Sequence, residues 1–92
     1  MKNITYLSSK NNGSEVLIYA TVESSTLHSV YWSNISNVNG AIRVLFTNGK
    51  RYRYDNVSSD TFMELITAES IGKKFNEVIK GKYEYELLTG FA

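Results

Sequence analysis

Residues 41–57, AIRVLFTNGKRYRYDNV, constrain this chain more than any other stretch, because the parity of their apolar positions decides the turn between two strands. Ile42, Val44 and Phe46 alternate with Arg43, Leu45 and Thr47 before the turn, and Tyr52 and Tyr54 alternate with Arg51 and Arg53 after it. A tight Asn48-Gly49 turn would set Phe46 against Arg51 and Val44 against Arg53, mixing arginine into the apolar face. An odd-length loop, Thr47-Asn48-Gly49, with Gly49 left-handed and a bulge, instead pairs Val44 with Tyr52 and Ile42 with Tyr54. The hairpin then has one apolar and tyrosine face, and an opposite face carrying Arg43, Arg51 and Arg53 beside Leu45, with Lys50 near the tip. No acidic residue occurs from Ala41 to Tyr54, which makes this the densest positive field in the sequence.

Upstream, Ile4 to Leu7 and the β-branched run Val16 to Val22 read as strands separated by the polar cluster Ser8 to Gly13, whose Asn12-Gly13 pair suits a turn. Val16, Ile18, Ala20 and Val22 alternate with Leu17, Tyr19 and Thr21, so neither face is strongly polar and the strand reads as central or covered on both sides. Leu27 to Trp32 reads as a third strand, followed by the loop Ser33 to Gly40. Downstream, Asp55 to Ser59 offers N-caps for a helix over about 59–69, in which Phe62, Leu65 and Ile66 fall at helical spacing. Ser70 caps a second helix with Ile71, Phe75, Val78 and Ile79 on one stripe, ending at Gly81. In the tail, Tyr83, Tyr85 and Leu87 alternate with Glu84 and Glu86, which suits an added edge strand with the glutamates outward; a docked extended tail is the other option.

The expected class is α+β: a small antiparallel sheet of about five or six strands, with two short helices between the basic hairpin and the C-terminal tail. With 92 residues, the chain is sized for a single domain, 1–92, made of N-terminal strands over 1–40 and a core over 41–88. Hydrophobic residues are 42% and charged residues 21% of the chain, which argues against disorder. The absence of cysteine removes disulfides and thiolate chemistry and fits a reducing cytoplasm, or the host's cytoplasm for a phage-encoded chain. No secretory signal or spanning apolar run is visible, so no membrane association is expected.

From Ile42 onward the motifs fall in a recognisable order: Ile42-x-Val44-x-Phe46, Asn48-Gly49, Tyr52-x-Tyr54, a short helix, Ala68-x-Ser70-x-Gly72, and Phe75-Asn76-x-x-Ile79-Lys80-Gly81-x-Tyr83. This order resembles the KTSC domain family, over about residues 41–88. The resemblance implies a small bacterial or phage domain of the kind also found as a carboxy-terminal extension on some lysyl-tRNA synthetases. It brings no established catalytic residues. Ser58 stands where the family commonly has proline, and residues before Ala41 match poorly, so the first hairpin reads as an addition.

The residues argue for binding and against catalysis. His28 is the only histidine, and the hydroxyls beside it, Ser25 and Ser29, belong to no triad or elbow motif. Asp60, Glu64, Glu69 and Glu77 are spaced as solvated helix faces, and no cluster has metal-ligand spacing, so neither catalytic residues, metal nor cofactor is expected. Nucleic acid is the sharper expectation, as RNA or single-stranded DNA, because eight of the ten Lys and Arg residues lie between Arg43 and Lys82. Arg43, Lys50, Arg51 and Arg53 would meet phosphates on the hairpin. Lys73 and Lys74, with the amides of a helix start, form a second anchor that Lys80 and Lys82 extend. The rival is an interaction or inhibitor module binding a host protein, a second copy or a small molecule, with Tyr31 and Trp32 as the partner contact.

Overall fold

The computed structural model describes residues 3–35 and 37–88. Six strands form one antiparallel sheet whose spatial order is their order in the chain. β1 (Ile4–Asn12), β2 (Glu15–Val22), β3 (Leu27–Ser33), β4 (Ala41–Phe46) and β5 (Arg51–Asp55) come first. Next come α1 (Ser59–Ile66) and α2 (Ile71–Val78), and β6 (Tyr85–Leu88) returns to pair with β5. The small α+β fold expected from sequence is the fold adopted.

The β4–β5 register pairs Val44 with Tyr52 and Ile42 with Tyr54. Gly49 has φ 89°, its N–H donates to the Phe46 carbonyl at 2.9 Å, and the Phe46 N–H donates to the Lys50 carbonyl at 2.9 Å. The turn is thus the odd-length loop with a left-handed glycine that parity required. The first hairpin departs from its sequence reading. Ser8 to Asn12 is not turn but the second half of β1, and the turn is Gly13-Ser14, with Asn12 opposite Glu15. β1 is an edge strand, where a polar run costs little and discourages pairing with foreign strands.

Each helix begins at a serine cap: the Ser58 hydroxyl accepts from the Thr61 N–H at 3.2 Å and the Ser70 hydroxyl from the Lys73 N–H at 3.4 Å. α1 stops at Ile66, short of the expected Glu69, and the Thr67 hydroxyl donates to the Met63 carbonyl at 2.7 Å just beyond it. Phe62, Leu65 and Ile66 of α1, Ile71 and Phe75 of α2, and the following Ile79 join Ala20, Val30, Trp32, Ile42, Val44 and Tyr54 in one buried cluster. Burying each large apolar side chain contributes about 1.5–3 kcal/mol. The helices therefore cover one face of the sheet, and β2 is covered on that face alone.

Trp32 locks a corner of this core. Its indole N–H donates to the Val57 carbonyl at 2.6 Å, and the Val57 N–H donates to the Gly40 carbonyl at 3.0 Å. Gly40 has φ 93°, and a Cβ there would lie 2.5 Å from both the Trp32 ring and the Val57 oxygen. Only glycine fits.

Candidate nucleic-acid interface

Strand parity puts every second residue on the face opposite the helices, and the registers align them across the sheet. One row runs Ser8, Tyr19, Tyr31, Arg43, Arg53, Glu86; the next runs Tyr6, Thr21, Ser29, Leu45, Arg51, Leu88. Among the described residues no helix or strand covers this face. Near its middle Ser29 is buried between the larger Thr21 and Leu45. A concavity of about 490 Å³ results, bounded by Tyr19, Tyr31, Arg43, Leu45, Arg51 and Leu88.

The three arginines do share one face, as the turn argument required, but they are not equivalent. The Arg53 Nε donates to Asp55 Oδ1 at 2.9 Å and its Nη2 to Glu86 Oε1 at 2.9 Å. The hydrogen bond with Asp55, joined by Glu86, raises the Arg53 pKa above its ordinary value despite partial desolvation. Arg53 is therefore occupied by two carboxylates, one of them Glu86, its direct partner on the neighbouring strand β6. Arg43 lies over the Tyr31 ring, 5.4 Å from its centroid, a cation–π geometry. Among the described residues Arg43 and Arg51 have no ion-pair partner. They are the two guanidinium groups of this face available to an anion.

Sequence reasoning joined the helix lysines to this site, and the structure separates them. Lys73 and Lys74 lie on α2 and Lys80 and Lys82 just beyond it, in the layer on the far side of the sheet. At the start of α2 two of the amides proposed for phosphate already have acceptors: Lys73 N–H donates to the Ser70 hydroxyl at 3.4 Å and Lys74 N–H to the Ser70 carbonyl at 2.9 Å. The Lys74 ammonium pairs with Glu64 at 3.5 Å. Lys50 is exposed at the hairpin tip, at the margin of the arginine face. Trp32 is not a partner contact, because it is 6% exposed and bonded to Val57. Tyr31 is half-buried beneath Arg43 on the open face.

Tyr19 is the residue that sequence reasoning missed. Alternation put it opposite Ile18 and Ala20, but only the β2–β3 register, which pairs Tyr19 with Tyr31, sets it beside the arginines. Tyr6 extends the aromatic row, its ring centroid 6.4 Å from that of Tyr19. Tyr52 and Tyr54 lie on the covered side; Tyr54 meets Phe75 at 5.5 Å, and burial, then Tyr52 and Tyr85, raise its pKa. His28 is exposed on β3. Among the described residues no His, Cys, Asp and Glu group is placed to hold a metal ion, and no helix is long and apolar enough to cross a membrane.

The KTSC domain family model matches residues 23–83, about two thirds of the chain. The chain belongs to the KTSC domain family. The match reaches back to take in β3 and leaves the β1–β2 hairpin ahead of it. This KTSC domain is similar in structure to the crystal structure of a KTSC domain protein from Yersinia pestis, with a TM-score of 0.69 and 26% sequence identity. The similarity covers 79% of this chain and 99% of that one, so about a fifth of this KTSC domain has no counterpart there. No curated protein matches the sequence. Tyr31, Arg43 and Arg51 fall inside the matched family segment, whereas Tyr6 and Tyr19 lie in the hairpin outside it.

Proposed function

We propose that this KTSC domain is a non-enzymatic binding module that takes single-stranded nucleic acid, RNA or DNA, on the open face of its sheet. The observation that carries this reading is the juxtaposition, in one concavity, of two tyrosines with Arg43 and Arg51, both free of ion pairs among the described residues. Aromatic rings on an uncovered sheet stack bases of any identity, and adjacent guanidinium groups meet phosphates; single strands offer both groups together. A duplex would not, since its bases are already stacked.

A protein partner or second copy is the other reading, favoured by Tyr85 and Leu87 on edge strand β6, which are 61% and 45% exposed. A titration of labelled oligouridylate and oligodeoxythymidylate against rising salt separates the two. The first reading expects binding that weakens as salt rises and is lost in Arg43→Glu with Arg51→Glu. Unchanged affinity in that folded double variant, or no binding of either probe at low salt, would refute it.

A further inference from the structure

The charges around the concavity limit the length of what it can hold. Arg53 is held by Asp55 and Glu86, so the arginine row ends there in carboxylates rather than continuing as a track. The lysines that would lengthen it, Lys73, Lys74, Lys80 and Lys82, lie in the helix layer behind the sheet. Among the described residues Arg43 and Arg51 remain as guanidinium groups without an ion pair, beside Tyr19 and Tyr31 around a concavity of about 490 Å³; Tyr6, Lys10 and Lys50 lie outside its lining. That volume lies within the ~300–1,000 Å³ usual for discrete small-ligand pockets, and binding grooves for long strands instead follow the backbone with charge.

We propose that the unit recognised is a dinucleotide-sized one: two phosphates, one on Arg43 and one on Arg51, with a base against the tyrosines. This rests on the nucleic-acid reading above and narrows it. The same chemistry is carried by a free 5′-phosphorylated dinucleotide and by a two-nucleotide stretch of a longer strand, and the residues lining the concavity include no cation besides Arg43 and Arg51.

The test measures binding of 5′-phosphorylated oligouridylates of two, four, eight and sixteen nucleotides, each over a salt series. Affinity per available register should be the same at every length. The salt slope should stay near two phosphates' worth, about −1.4 at about −0.7 per phosphate on a single strand. Changing Lys73, Lys74, Lys80 and Lys82 together to Gln should leave the affinity for the sixteen-nucleotide probe unchanged. A slope that steepens with length, or a loss of affinity in the lysine variant, would overturn the dinucleotide limit while leaving nucleic-acid binding intact. A two-nucleotide probe that fails to bind where the sixteen-nucleotide probe succeeds would overturn it too and assign the ligand to the polymer alone. Failure of every length at low salt would sink the underlying reading instead.

Discussion

The β4–β5 hairpin has two sides, made by alternate residues of the same two strands and put to opposite uses. Ile42, Val44 and Tyr54 are in the buried cluster with Phe62, Ile71 and Phe75, whereas Arg43, Leu45, Arg51 and Arg53 on the reverse keep partial access to water. Period-two alternation separates these environments by one residue. The covered side can change little without loss of the fold, and the open side can change chemically while the fold stays. This difference teaches where function is free to reside.

The sharpest way to break the comparison is on the covered side. Phe62→Ala empties a fully buried site and should cost about 3–5 kcal/mol, read as a lowered denaturation midpoint; a cost under about 1 kcal/mol would mean that the helices do not seal that face. Trp32→Phe keeps most of the ring but strands the buried Val57 carbonyl, for an expected cost of about 1–3 kcal/mol.

Tyr54 ties the same contrast to pH. Its folded pKa is raised above the ordinary 10.0 by burial and by Tyr52 and Tyr85. The sign follows from the phenol being held neutral in the folded state: its contribution is fully present below the unfolded value and is lost as pH rises through the folded one. Unfolding midpoints measured from pH 9 upward should fall, and Tyr54→Phe should flatten that fall.

On the open side the stability effects should nearly vanish. Arg51→Gln should shift stability by no more than about 0.5 kcal/mol yet weaken oligonucleotide binding and lower its salt slope. Glu86→Gln removes one of two partners of Arg53 at an exposed site, costing about 0–1 kcal/mol, and should tighten binding by relieving Arg53 of a carboxylate. If Glu86→Gln weakens binding, the carboxylate is helping the ligand and the charge argument for this face is wrong.

Much of the covered side was legible in the sequence because it is specified locally. Loop parity placed Tyr52 and Tyr54, the cap candidates over 55–59 and Ser70 placed the helix starts, and helical spacing named Phe75 and Ile79. The open side was legible only in part, because its chemistry depends on distant pairings. Glu86 meets Arg53 across 33 positions of sequence, and its outward direction could be read while its neighbour could not. Helical spacing sets Lys73 and Lys74 outside the apolar stripe of α2, but spacing along one helix does not say on which side of a sheet that helix sits. The turn at Gly13-Ser14 was obscured because polar residues are tolerated along an edge strand, which makes Ser8 to Asn12 resemble loop.

The match between spatial order and chain order in the sheet bears on how the molecule comes to exist. Each strand can pair with the one before it as soon as it has been made, so contacts form between near neighbours, an arrangement that favours rapid folding. The cover arrives late, because both helices follow β5. Until Ile79 has emerged from the ribosome, the oily side of five assembled strands faces water and other chains. A nascent chain arrested before Ser58 should accordingly aggregate, whereas one arrested after Tyr83 has the means to hide that surface within itself.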